Sequence, residues 1–235
     1  GDAINECKAL AEKLDAPVCN GYQHNDSFPG SHPLAVGPLG YNGSKAAMQL
    51  ISKADVVLAL GTRLNPFSTL PGYGIDYWPK NANIIQVDMN PDRIGLTKKV
   101  TVGIAGDAKQ VAKQIFDKLS SNAGDSGRED RKNLIHQTKS AWLQTLTSLD
   151  HEDDDPGTVW NKEARERDKD RMSPRQAWRA IQAAMPEDAI ISSDIGNNCA
   201  IGNAYPTFEK PRKYLAPGLF GPCGYGFPSI LGAKI

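Results

Sequence analysis

The period of apolar positions changes several times along this chain, and each change marks an element. Residues 2–14 place Ile4, Cys7, Leu10, Ala11 and Leu14 on one helical stripe. Ala16–Cys19 reads as a short strand. Residues 20–43 carry many Gly, Pro and Asn and read as loop. Helical spacing returns over Ser44–Lys53, with Ala47, Leu50 and Ile51 inward. Val56–Leu60 is an unbroken apolar run ending at Gly61 and fits a strand covered on both faces, as in a parallel sheet. Ile84–Asp88, closed by Asn90 and Pro91, is a second such strand, and Val100–Ile104 is a third. Asp107 is placed to cap a following helix that carries Ala108, Val111, Ala112, Ile115 and Leu119. Strand and helix alternate, so this block is predicted to be α/β and Rossmann-like, with a mostly parallel sheet.

Between residues 120 and 170 the pattern fades. Ser120–Gly127 is turn-rich, Glu152–Asp155 is an acidic run, and residues 162–171 are mostly charged. These features predict a solvated linker with one amphipathic helix near residues 133–149, where Leu134, Trp142, Leu143 and Leu146 pack on something. A second α/β unit starts at Ser173, an N-cap followed by Pro174 and by Gln176 at the capping-box position. Trp178 and Ile181 are expected inside. Ala189–Ser192 reads as a strand, and the remainder is rich in Gly and Pro. The predicted division is 1–120, a linker at 121–172, and the start of a second α/β domain at 173–235.

Charge narrows the functional classes. The 235 residues hold 27 Lys+Arg and 27 Asp+Glu, so the electrostatic case for a nucleic-acid or anionic-membrane partner is absent. No apolar run is long enough for a membrane-spanning helix. Cys7, Cys19, Cys199 and Cys223 are scattered, form no CxxC pair and have no histidine at ligand spacing. Neither a metal site nor a disulfide framework is predicted; free thiols in a reducing cytoplasm are. The chain opens Gly1-Asp2-Ala3 without an initiator Met and stops at Ala233-Lys234-Ile235 inside an apolar element. The expectation is a piece of a longer protein.

Candidate chemistry lies where strands end, because α/β sheets bind ligands at the carboxyl ends of their strands. No GxGxxG follows a strand. Gly37–Lys45 is glycine-rich, but Gly43-Ser44-Lys45 reverses the Lys-Ser order of a nucleotide P-loop. Leu60-Gly61-Thr62-Arg63 can be a phosphate-facing turn or merely a tight turn with a surface Arg. Asp194-Ile195-Gly196-Asn197-Asn198 after a strand can offer backbone N–H groups and amides to a diphosphate. In Gly221–Pro228, glycines flank Cys223 and let backbone approach a flat ligand. The other reading there is a buried loop with an inert core cysteine.

Together, Asp194-x-Gly196 and Gly221-x-Cys223-Gly224-Tyr225-Gly226-x-Pro228 resemble the start of the diphosphate-binding domain of thiamine diphosphate enzymes of the acetolactate synthase and pyruvate oxidase type. The Ala54–Arg63 strand-turn, the Ile85–Asp88 strand and Gly106-Asp107-Ala108 are similar to that family's central domain. Three further strings, Gly21–Asp26, Pro71–Pro79 and Asn197–Pro206, resemble one member that transfers an acetyl group to phosphate.

The resemblance implies a thiamine diphosphate cofactor with Mg²⁺, bound between subunits of a homodimer or homotetramer. By resemblance, Gly196, Asn197 and Asn198 contact the diphosphate, Gly221 offers its carbonyl to the aminopyrimidine, and Cys223 sits under the bent cofactor. Many relatives carry Met or another larger apolar residue at that position, so Cys223 is a departure from the family pattern. No catalytic residue is expected in this chain: the activating glutamate would precede it, and the Mg²⁺-binding Gly-Asp-Gly motif ending in Asn would follow it. The implied reaction takes a small sulfonated aldehyde and phosphate, releases sulfite and gives acetyl phosphate. Arg63, His24 and Arg212 are candidates for the anionic groups by charge alone. Two alternatives stand beside it: a pyruvate-consuming carboligase that can hold FAD, and a non-catalytic structural or binding module. A truncated second domain would expose apolar surface near 220–235.

Overall fold

The computed structural model describes residues 2–120, 126–149, 171–218 and 220–234. Local capping sets where its helices begin. Helix α1 (Ile4–Leu14) leads into strand β1 (Val18–Asn20), which pairs in parallel with β2 (Ala35–Pro38). Helix α2 (Lys45–Ile51) follows, its N-cap Ser44 accepting the Ala47 N–H. Strand β3 (Val56–Leu60), the single turn α3 (Pro66–Thr69), β4 (Asn83–Asp88) and β5 (Val102–Ala105) come next. Asp107 accepts the N–H groups of Lys109 and Gln110 and starts α4 (Ala108–Lys118). Helix α5 (Arg128–Leu149) ends the first unit.

The second unit opens with α6 (Pro174–Ala184), where Ser173 and Gln176 form the reciprocal capping box. It continues with β6 (Ile191–Ser192), α7 (Asn197–Gly202), β7 (Tyr214–Leu215) and α8 (Gly226–Lys234).

Among the described residues, every strand pair is parallel. The three-stranded sheet runs β3-β4-β5, and β6 pairs with β7. The main core gathers Ala47, Met48, Leu50 and Ile51 of α2 with Val36, Leu39, Tyr77 and Ile135. A second cluster joins the two units: Ala46, Trp142 and Leu146 pack with Ala204 and Tyr205. Helix α1 lies on α4, and α5 lies on α2.

The architecture is mixed α/β with parallel sheets, as expected. Several local expectations are corrected. Residues 20–43 contain β2, because Leu34, Ala35 and Val36 are buried beside β1 until Gly37 turns the chain at φ +90°. The sheet is not covered on both faces: Val56 of β3 and Val102 of β5 are exposed. Helix α5 starts at Arg128 and buries Ile135, Trp142 and Leu146, while Leu143 faces outward. Trp178 is inside but Ile181 is half exposed. The Gly- and Pro-rich tail contains α8. On and before it, Phe220, Phe227 and Leu231 stand exposed, Phe220 at 97%. The acidic run at 152–155, the charged stretch at 162–170 and residues 121–125 lie outside the described residues.

Gly40 fixes the packing of the β2–α2 connection. It has φ +92°, and a Cβ there would stand 1.8 Å from the Phe67 carbonyl oxygen. Gly40→Ala therefore costs about 3 kcal/mol of stability, read as a lowered urea midpoint. An unchanged midpoint would refute this packing.

Candidate functional site

Strand β6 delivers the chain to Ser193 and Asp194, and the turn Ile195-Gly196 opens α7. Gly196 holds φ 125° and ψ −164°, a conformation that L side chains rarely adopt. It is the N-cap, yet no side chain caps the helix. Ser44, Asp107 and Ser173 fill that role for α2, α4 and α6. The first turn of α7 thus has no side-chain acceptor at its cap, as is also true of α1. Gly196, Asn197 and Asn198 are exposed. The Asn198 amide turns back and donates to the Asp194 carbonyl at 3.1 Å. Its own carbonyl accepts the Trp178 indole N–H at 3.2 Å, which docks α7 on α6. Gly202 completes that contact, since a Cβ would lie 2.5 Å from the Trp178 ring.

The Asp194 carboxylate connects this turn to the second glycine-rich segment. It accepts N–H bonds from Ile195 at 2.9 Å, from Gly224 at 3.0 Å to each oxygen, and from Gly226 at 3.1 Å. These donors, Gly226 foremost and Ile195 next, hold the carboxyl below the usual carboxylate range. At Gly221, with φ +54°, a Cβ would press on Ile195 at 3.2 Å. The structure thus brings Gly196–Asn198 and Gly221–Gly226 to one rim. Cys223 is exposed on that rim, which overturns the buried-core reading of this cysteine. The buried thiol is Cys199, 1% exposed.

Residues that sequence reasoning passed over hold α7 from behind. Gln23 donates its N–H to the Asn203 side-chain oxygen at 3.1 Å and its amide to the Cys199 sulfur. Asn25 donates to the carbonyls of Asn203 at 3.0 Å and Pro206 at 2.8 Å. Asn203, fully buried, donates to the Tyr41 carbonyl at 3.1 Å. Asp26 accepts the N–H groups of Lys213 and Tyr214. The signal was the density of amide and carboxylate side chains in Gln23–Asp26, a loop that must satisfy its own backbone. Burial pushes the Cys199 thiol and the Tyr22 and Tyr214 phenols up, so this cluster is neutral at pH 7.

The other candidates disperse. Gln86 donates to the carbonyls of Thr62 and Arg93 and accepts the Gly95 N–H, so it clamps the Thr62–Arg63 turn through its backbone. The Arg63 side chain is exposed, and so are His24 and Arg212. No hydrogen bond or ion pair joins these three. In the Gly37–Lys45 stretch, Ser44 is a helix cap and Lys45 lies over the Tyr73 ring at 4.9 Å. A separate groove runs between α1 and α5, where Lys139 donates to the His32 carbonyl and burial lowers its ammonium pKa. Among the described residues, no group of three or more His, Cys, Asp or Glu is placed to hold a metal ion. None of the described helices is long and apolar enough to cross a membrane.

Comparison with known proteins adds the following. A family model described as thiamine pyrophosphate enzyme, central domain, matches residues 1–115. A second, the C-terminal TPP binding domain of those enzymes, matches residues 194–235. A probable sulfoacetaldehyde acetyltransferase of Rhizobium meliloti (strain 1021) is 80% identical over 235 residues, all of this chain and 40% of the relative. The sulfoacetaldehyde acetyltransferase of Roseovarius nubinhibens is 76% identical over 233 residues, 99% of this chain and 39% of the relative. A probable acetolactate synthase large subunit of Methanococcus aeolicus is 30% identical over 240 residues, 99% of this chain and 37% of the relative. The chain spans about 40% of the length of the relatives it matches best among these.

Two outcomes follow from the geometry. A thiol reagent at pH 8 should modify Cys223 fast; Cys7, Cys19 and Cys199 should react only on unfolding. Cys199 is buried and Cys7 and Cys19 are partly so, and desolvation raises all three pKa values, Cys19 to about 12, so they stay protonated at that pH. Fast labelling in Cys223→Ser would contradict this. Asn203→Ala leaves the Gln23 N–H and the Tyr41 carbonyl without their partner and should cost about 3 kcal/mol in urea unfolding.

Proposed function

The chain belongs to the thiamine pyrophosphate enzymes, and we propose that it is part of a sulfoacetaldehyde acetyltransferase. Such an enzyme converts sulfoacetaldehyde and phosphate to acetyl phosphate and sulfite. The reading is carried by the high identity to proteins of that name along the whole chain, against 30% to an acetolactate synthase. A pyruvate-consuming carboligase is correspondingly the weaker reading. The division into a central domain at 1–120, a connection at 121–172 and the start of the diphosphate-binding domain at 173–235 belongs to the same proposal. The family matches at 1–115 and 194–235 support it.

Gly196, Asn197 and Asn198 would hold the diphosphate. The fit rests on the uncapped first turn of α7, whose N–H groups have no side-chain acceptor. The Asn198 amide is already bound to the Asp194 carbonyl, so Asn198 would contribute its main chain. Gly221 would offer its carbonyl to the aminopyrimidine, and Cys223 would line the face beneath the cofactor. At Gly224 a Cβ would meet nothing within 4 Å, which leaves the backbone reachable for a flat ligand. When bound, thiamine diphosphate supplies a carbon nucleophile for the aldehyde carbon. The residues of this chain bind and orient. Mg²⁺ would accompany the diphosphate.

Assembly as a homodimer or homotetramer, a cytoplasmic location and a place in taurine and sulfonate breakdown complete the reading. The balanced charge supports small-molecule partners over nucleic acid or a membrane surface.

The test uses the full-length protein. Sulfoacetaldehyde should yield sulfite and acetyl phosphate in equal amounts, only with thiamine diphosphate, Mg²⁺ and phosphate all present. Turnover without phosphate, or on pyruvate alone, would overturn the proposal. Thiamine diphosphate should also slow the alkylation of Cys223.

A further inference from the structure

We propose that Asp194 is a positioning residue for the cofactor: its carboxylate pre-forms the Gly221–Gly226 loop and ties it to the Gly196–Asn198 turn before any ligand arrives. The inference rests on the thiamine diphosphate reading above and adds a residue that contacts no cofactor atom itself. The two segments lie about two dozen residues apart in sequence and share no strand or helix. The hydrogen bonds described between them end on one side chain. Oδ1 accepts Ile195 and Gly224, and Oδ2 accepts Gly224 and Gly226. The backbone carbonyl of the same residue accepts the Asn198 amide at 3.1 Å and the Ser193 hydroxyl at 3.1 Å. Asp194 therefore addresses one candidate segment with its side chain and the other with its main chain.

Charge and shape both select Asp here. Several N–H groups converge on one carboxylate, an arrangement that favours an acceptor with two anionic oxygens. An Asn would aim its NH₂ at one of those donors. The carboxylate also stands at the start of α8, where the helix dipole favours negative charge. At Gly226 a Cβ would meet the Asp194 nitrogen at 3.2 Å, so the loop sits directly on the Asp194 backbone and has little freedom to dock otherwise.

The experiment compares full-length wild type, Asp194→Asn and Asp194→Glu. Titration calorimetry gives the thiamine diphosphate Kd with Mg²⁺ present, and hydrogen exchange follows residues 221–226 without cofactor. Wild type should protect the Gly224 and Gly226 amides before cofactor is added. Asp194→Asn should lose that protection and raise the Kd about tenfold or more. Asp194→Glu should fall between. The sulfoacetaldehyde KM at saturating cofactor should be unchanged, which a general structural defect would not spare. An unchanged Kd in Asp194→Asn, or rapid exchange of Gly224 and Gly226 in cofactor-free wild type, overturns the proposal. The wild-type exchange decides the matter even if the variants fail to fold. Failure of wild type to bind thiamine diphosphate would instead remove the functional reading.

Discussion

Asn203 is enclosed by protein on all sides, and its side chain reaches two separate stretches of backbone. Its side-chain oxygen takes the Gln23 N–H, its amide reaches the Tyr41 carbonyl, and its own carbonyl takes the Asn25 amide. A buried amide is tolerated only when such bonds are made, because each orphaned polar group costs about 1–3 kcal/mol. Residues 21–31 form no strand or helix, so their backbone groups must find partners elsewhere. They find them within the loop, on Ser68 and on the segment that follows α7. Gly30 donates to the Phe208 carbonyl, and Asp26 takes two N–H groups at the start of β7. The two units are thereby joined through directional polar bonds, with the Trp142–Tyr205 cluster beside them. Helix α7 has only six residues and could not hold its place by its own ladder.

This seam unites strings that looked separate along the chain. Gly21–Asp26 meets Asn197–Pro206 through Gln23, Asn25 and Asn203. Pro71–Pro79 joins them at Ser68, whose carbonyl accepts the Tyr77 hydroxyl and whose own hydroxyl accepts the Tyr22 N–H. The features that resemble one member of the family are thus physically one network behind the rim. They set how α7 is held, while Gly196 and Gly221–Gly226 set what that rim can touch.

What could be read from sequence divides along range. Asp107 and Ser173 were legible because a cap is decided within three residues of itself. Val56–Leu60 and Ile84–Asp88 were legible as strands because period and composition agree. Strand β2 was hidden by the Gly and Pro around it, and α8 by the glycines that open it. Exposure was less legible than element type: Leu143 and Ile181 sit on plausible stripes, but tertiary neighbours decide which position of a stripe is covered. The two glycine-rich segments could be picked out one by one. Their junction could not, since the bond from Asp194 to Gly224 spans 30 residues and follows no local rule. The same limit left the burial of Cys223 open, and the structure leaves that thiol exposed.

Trp178 gives the rim an optical voice. Its indole is buried, packs against Gly202 and donates its single N–H to the carbonyl of Asn198. Any displacement of the α7 entry lengthens that bond or admits water beside the ring. With the other tryptophans replaced, the emission colour of Trp178 therefore tracks the posture of the turn, without a label and without turnover.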